Sequence, residues 1–352
     1  MTIYIEKKKI SINKEAPYLI LEAGINHEGS LIRAFKMIDD AAKTKADAIK
    51  FQYFELDDFY LKNSEGYKSL KKMYLAKLDI DKLKKYSERK KLTFLCTAYS
   101  KNSFDFLNKI GVSAHKVSSM DNNNEDLLKH VAKFKKPIIF STGMSNLQNT
   151  KDKIKLIYKY NKKIIILHCI SNYPTLAKDL NLNNINFYNK IFKFPVGLSD
   201  HSENIFGMIS SLDYQTTIIE KHFTFDKKRK GFDHNISVDY KDINFFYDLV
   251  EFKKNSLGKT FSKFERPDIK NQRLFRKGLY YKEDLKKNEY LTKEKIFEAR
   301  PGINFEMINK IKSNKFYKLK KNITNLNTVK RKDFRWRYLD LIMIYSFLLF
   351  AT

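Results

Sequence analysis

The residues able to do chemistry stand at the ends of apolar runs. "TTIIEKHF" (216–223) starts as a buried strand and finishes in Glu220, Lys221 and His222. "DAIKFQYF" (47–54) carries Lys50 and Gln52, and "AHKVSS" (114–119) carries Lys116 and Ser119. "PVGLSD" (195–200) delivers Ser199 and Asp200 just before His201. Glu22 lies in "YLILEAGI" (18–25), Thr97 closes "TFLCTA" (93–98), and Ser141 and Thr142 close "PIIFST" (137–142). "KIIILHCI" (163–170) leads through His168 to Asn172 and Tyr173. A lysine inside an apolar strand is costly to bury without an anion, so Lys50 and Lys116 point to a bound carboxylate or phosphate. Imidazoles converging from neighbouring strands, His201 and His222, suit Mn²⁺, Fe²⁺, Co²⁺ or Zn²⁺ beside oxygen ligands. Taken singly, each of these is an ordinary strand-terminal polar residue; it is the recurrence at every strand that argues for a site. His168 has apolar neighbours and reads as a satisfied core histidine.

These side chains need elements to bring them together. Each run is rich in Ile, Val and Phe and reads as a strand buried on both faces. Helical patterns lie between most of them. "SLIRAFKMIDDAAKTK" repeats apolar residues at helical spacing, and "NEDLLKHVAKFKK" opens with a capping Asn and stops before Pro137. Eight β units finished by about residue 255 predict a (β/α)8 TIM barrel. A doubly wound sheet is the runner-up, weakened because no G-x-G-x-x-G follows the first strand. Barrel side chains alternate inward and outward, so Lys50 and Gln52 share a face, as do Glu220 and His222. The predicted organisation is a barrel over 1–255, a polar linker over 256–275, a small β-rich domain over 276–334 and a basic, then apolar, tail over 335–352.

Composition narrows the partners. The formal charge is +28, from 68 Lys+Arg against 40 Asp+Glu. Ten of those bases are Arg, and the lysines are spread along the whole chain. Arg is the residue best suited to bidentate phosphate and base contacts, so the pattern argues against nucleic acid. It leaves a general field that attracts anions. The two cysteines, Cys96 and Cys169, sit in apolar runs and read as small buried hydrophobes of a reducing compartment. No signal peptide opens the chain, and the expected location is cytoplasmic. The apolar run from about Leu339 to Ala351 falls short of the roughly 20 residues of a membrane span. Covering a protein groove is favoured for it over dipping into a membrane surface.

The motifs "LEAGINHEGSLIRAFKMIDDAAKTKADAIKFQ", "KPIIFSTGMS", "ILHCISNYPT", "GLSDHS", "IIEKHFT" and "ARPG", in this order, resemble the sialic acid (N-acetylneuraminate) synthase family. The resemblance runs from about residue 18 to 305. It implies a (β/α)8 barrel followed by an antifreeze-like (SAF) domain, and a domain-swapped homodimer in which one chain's small domain caps the other's barrel. It implies condensation of phosphoenolpyruvate with an N-acetylated mannose-type sugar, using Mn²⁺ or Mg²⁺. Glu22 then matches the catalytic carboxylate, and His201 and His222 match the metal ligands. Lys50, Thr97, Lys116, Ser119, Ser141 and Ser199 fall where the family holds phosphoenolpyruvate. Gln52, Tyr173 and Asp233 match sugar contacts, and Arg300 matches the small-domain arginine that reads the N-acetyl group. Alone, Arg300 reads as a surface arginine, Asp233 as a turn residue, and His234 as exposed or supporting. "GINHEG" favours a neuraminic or legionaminic product over pseudaminic. Departures from the pattern are Ser118 and Asn288 where glycine is usual and Ala98 where proline is common. The segment 55–75 yields no match for the family's sugar-contacting Asn. A catalytically dead barrel kept for binding is the reading from another class; retention of Glu22, both lysines and both histidines argues against it.

Overall fold

A hairpin opens the chain, with β1 (Ile3–Ile5) antiparallel to β2 (Lys8–Ile10). Eight parallel strands follow: β3 (Tyr18–Gly24), β4 (Ala48–Tyr53), β5 (Thr93–Ala98), β6 (His115–Val117), β7 (Ile138–Ser141), β8 (Ile164–Cys169), β9 (Val196–Asp200) and β10 (Ile218–His222). They form a closed barrel in chain order, sealed by pairing of β10 with β3. In this computed structural model residues 2–11, 16–231, 233–260, 266–304, 307–311 and 317–336 are described. The chain divides into two compact units, Met1–Gly258 and Lys259–Thr352.

The pleat sorts the barrel's side chains into two sets. Tyr18, Ile20, Ala48, Leu95, Ile139 and Ile165 turn inward and pack together, joined by Ile3, Ile5 and Ile10 of the hairpin. The hairpin therefore closes the end where the strands begin. Its strands of three residues were not among the predicted elements. The alternate positions, such as Leu19, Ile49, Phe94, Phe140 and Ile166, pack outward against the helices. Burying each of these large side chains stabilises the fold by roughly 1.5–3 kcal/mol. Helix starts are fixed by side-chain caps: Ser30 accepts from the Arg33 N–H, Asn124 from Leu127, and Asp239 from Lys241 and Asp242. With the N-terminal end filled, the opposite mouth is the one free to hold a site.

The segment expected as linker is partly helical. Helix Tyr240–Leu257 runs into it, and a short helix Gln272–Phe275 ends it. The second unit has its own core of Leu279, Tyr281, Leu319, Val329 and Phe334. In it β11 (Gly278–Tyr281) and β13 (Ile296–Ala299) pair antiparallel, and β14 (Tyr317–Leu319) lies between β12 (Tyr290–Leu291) and β15 (Phe334–Trp336). Asn288 adopts φ +73°, the left-handed conformation that Asn tolerates in place of glycine. No helix of the described residues is long and apolar enough to cross a membrane. The apolar run from Leu339 lies outside the described residues.

Candidate active site

Seen from the C-terminal mouth, the inward set turns from apolar to ionisable within one residue pair. After Ile20 comes Glu22, after Ala48 come Lys50 and Gln52, after Leu95 comes Thr97, and after Ile218 comes Glu220. Lys50 Nζ lies 2.7 Å from Glu22 Oε2 and 3.6 Å from Glu220 Oε2. It also donates to Thr97 Oγ1 at 2.9 Å, and Gln52 Nε2 donates to Glu22 Oε1 at 3.1 Å. Lys116 Nζ donates to Ser141 Oγ at 2.7 Å and to the Val117 carbonyl at 3.1 Å, and sits 3.9 Å from Glu220 Oε1. Ser199 Oγ donates to that same oxygen at 3.1 Å. Glu22, Lys50, Lys116 and Glu220 are 2%, 3%, 3% and 6% exposed, so these charges have little solvent to screen them.

Burial raises both carboxyls, and their neighbours send them in opposite directions. Glu22 is raised, chiefly by desolvation, with Lys50 opposing and Glu220 adding to the rise. Glu220 feels the same desolvation, but Lys116 and Lys50 outweigh it and hold the group below its ordinary value. Desolvation lowers the Lys116 ammonium, with Glu220 opposing. A carboxyl held above its ordinary value beside one held below it is the division of labour that acid–base chemistry uses.

The imidazoles form the adjoining wall. The His201 and His222 ring centroids are 5.3 Å apart. His201 Nδ1 lies 2.8 Å from the Ile170 carbonyl, which leaves Nε2 as the lone-pair nitrogen in the tautomer that donates this bond. His222 Nδ1 is buried without a hydrogen-bond partner and stands 3.5 Å from Asp233 Oδ2. Burial, then His201, push the His222 imidazole well below its ordinary value, so it stays neutral and able to ligate. Two imidazoles, that of His201 oriented by the Ile170 carbonyl, beside the Asp233 carboxylate fit a divalent cation. Among the described residues no three His, Cys, Asp or Glu side chains are grouped to hold an ion alone. The Tyr173 ring lies against His201 at 4.3 Å and meets His222 edge-on at 6.0 Å.

Twelve of the thirteen residues singled out from sequence lie in this unit. Glu22, Lys50, Gln52 and Thr97 form one linked group, and Lys116, Ser141 and Ser199 a second. His201, His222, Tyr173 and Asp233 form a third. Ser119 Oγ reaches Cys169 Sγ at 3.5 Å. Gly143 makes this approach feasible, because a Cβ there would fall 2.3 Å from Ser171 Oγ and 2.5 Å from Ser119 Oγ. Arg300 is exposed at the end of β13 in the other unit.

Two residues at the centre were undervalued. Glu220 touches both lysines, and its parity with His222 is the signal that marks it. Cys169 is not the inert core thiol expected; it lies 3.9 Å from His201 Nδ1. Burial raises that thiol but His201 outweighs it, bringing the group down to about 7. Lys221 and Asp200 point the other way, out of the barrel, because they occupy the alternate parity. His234, for which exposure was one reading, is buried, with Nε2 3.1 Å from Glu28 Oε1 and Nδ1 2.8 Å from Thr224 Oγ1.

The chain is similar to known proteins in sequence and in fold. Residues 37–261 match the profile of the NeuB family. The chain is 36% identical over 308 residues to protein MJ1065 of Methanocaldococcus jannaschii, covering 86% of this chain and 91% of that one. It is 32% identical over 302 residues to the N,N'-diacetyllegionaminic acid synthase of Campylobacter jejuni, covering 81% and 90%. The crystal structure of the N-acetylneuraminic acid synthetase of Leptospira borgpetersenii aligns with TM-score 0.70 and 31% identity, over 77% of this chain and 95% of that one. With family profile, relatives and barrel in agreement, the chain belongs to the NeuB family of sialic acid synthases.

Proposed function

We propose that this protein condenses phosphoenolpyruvate with the open-chain form of an N-acetylated mannose-type sugar. The product is a nine-carbon 2-keto sugar acid of the neuraminic or legionaminic kind, and inorganic phosphate is released. One observation carries the reading: two buried lysines, two carboxyls with opposed shifts and two facing imidazoles share a single pit.

Lys50 and Lys116 neutralise the phosphate and carboxylate of phosphoenolpyruvate as point charges. Thr97, Ser119, Ser141 and Ser199 complete its hydrogen bonds. Gln52, Tyr173 and Asp233 hold the sugar, and Arg300, supplied by the second chain of a homodimer, reads its N-acetyl group. A divalent cation held by His201 and His222, Mn²⁺ or Mg²⁺, would supply Lewis-acid polarisation of the sugar aldehyde. The C2=C3 electron pair of phosphoenolpyruvate forms the new bond to the aldehyde carbon, whose oxygen takes up a proton. C2 gains oxocarbenium character, which anionic Glu220 stabilises. Glu22, with its raised affinity for a proton, removes one from the water that adds to C2. The resulting hemiketal phosphate then breaks its C2–O bond, leaving the keto acid and phosphate. Holding both substrates in one pit removes the entropy of their encounter.

Phosphate release from phosphoenolpyruvate, measured with a panel of mono- and di-N-acetylated hexoses with Mn²⁺ and with chelator, tests this. Sugar-dependent release lost on chelation is expected. Release with none of the sugars overturns the reaction, and release that survives thorough chelation removes the cation from His201 and His222.

A further inference from the structure

Behind the reacting wall lies an ion pair that the chemistry does not touch. Asp200 and Lys221 are directly opposite each other across β9 and β10. Both side chains are 0% exposed, and Lys221 Nζ lies 3.1 Å from Asp200 Oδ2. Lys221 Nζ also donates to the Ser202 carbonyl, while Asp200 Oδ1 accepts from Ser202 N–H at 2.9 Å and Ser202 Oγ at 2.6 Å. The overlying helix Phe206–Ser211 can approach only because residue 207 is glycine. A Cβ there would lie 2.8 Å from both carboxylate oxygens of Asp200.

The positions of these residues give the pair a purpose. Asp200 and Ser202 flank His201, and Lys221 sits between Glu220 and His222. Every bond just described fixes backbone one residue from a side chain of the pit. A buried pair of this kind is weak evidence for stability, since apolar residues of like volume do as well; fixing a register is the better-attested use of one. We propose that the Asp200–Lys221 pair is a positioning device that locks the β9–β10 register and the 201–202 turn, so that His201, Glu220 and His222 converge. This rests on the function proposed above only for its kinetic readout.

The test uses Lys221→Met, the charge-retaining Lys221→Arg, and Gly207→Ala, which crowds Asp200 without removing any polar group. Each is checked for folding by circular dichroism and thermal unfolding. The positioning role predicts that folded variants lose at least tenfold in kcat for phosphate release, with KM for phosphoenolpyruvate changed less than threefold, because Lys50 and Lys116 stand on other strands and Ser199 alone of its contacts stands on β9. It also predicts that the ¹⁵N-imidazole NMR signals of His201 and His222 move while those of His130 and His168 stay. A merely structural role lowers the melting temperature and leaves kcat and the imidazole signals as in the wild type; that result in any folded variant overturns the proposal. If the wild type releases no phosphate with any sugar, the function fails and the imidazole spectra still decide the positioning role. If Lys221→Met does not fold, Lys221→Arg and Gly207→Ala carry the decision.

Discussion

At the scale of single residues, the pit is an arrangement of four buried charges that balance: two ammonium groups against two carboxylates. Phosphoenolpyruvate adds negative charge to that set, and Glu22, held above its ordinary value by burial, has the higher affinity for a proton of the two carboxylates. Its raised position has a kinetic sign. The form that accepts a proton from water is the carboxylate, so kcat should fall on the acid side, with an inflection above the ordinary carboxyl value of 4.5. A pH–rate profile measured at saturating substrates checks this. Glu22→Gln should abolish the acid limb and lower kcat by about 10²–10⁴-fold, the usual worth of a general base. Glu220→Gln removes the carboxylate that lies between Lys50 and Lys116. It should lower kcat to a comparable degree while phosphoenolpyruvate binds at least as well, since both lysines lose a competitor. Loss of binding in that variant, followed by isothermal titration, would count against the anion's assigned role.

At the scale of elements, alternation along the strands decides what the sequence could reveal. The eight barrel strands were legible because Ile, Val and Phe in short runs have few other stable homes. The inward set followed from parity, since Lys50 pairs with Gln52 and Glu220 with His222. What hid was whatever broke a simple code. Asp200 and Lys221 are polar yet face outward, and Cys169 reads as apolar though it lines the pit. The 55–75 segment packs Leu56, Phe59, Leu70 and Tyr74 against a cluster of Ile25, Phe54, Met73 and Tyr99, which no local pattern announces. Outward-facing His115 is a similar case. It packs between Phe104 and Phe134 with neither nitrogen hydrogen-bonded, and burial pulls its pKa down to about 3. His27 is pulled to about 4 by burial, with Arg33 adding to the fall. Both bind a proton more readily in the unfolded chain, so stability is full above pH 6.5 and declines as the pH drops toward these values. Asp121, raised to about 6 by burial, acts in the opposite sense and offsets part of the loss below that pH. Denaturant titrations between pH 7 and 5 should show the decline. His115→Leu should flatten it by at most about 1.4 kcal/mol per pH unit.

At the scale of the whole molecule, the role proposed for Arg300 makes a demand on the second unit. Arg300 stands on a unit with a separate core, at the exposed end of β13. The site proposed above therefore needs a small domain delivered to the mouth, and the family resemblance assigns that delivery to a second chain. Exchange of an element between identical chains is a low-cost route to a dimer, and it makes a distinctive kinetic prediction. Arg300→Ala should raise KM for the sugar strongly and leave KM for phosphoenolpyruvate nearly unchanged, because only the acceptor loses a contact. Glu22→Gln should be inactive through its barrel while keeping an intact Arg300. Unfolded together in equal amounts and refolded, the two inactive proteins form mixed dimers holding one complete site each: the Arg300→Ala barrel served by the Glu22→Gln small domain. Random assortment then restores about one quarter of wild-type activity at sugar concentrations where neither parent turns over. If each barrel used the arginine of its own chain, every chain in the mixture would carry one lesion and activity would stay at the parental level. The oligomeric state of the mixture, read by light scattering, separates that outcome from a simple failure to dimerise.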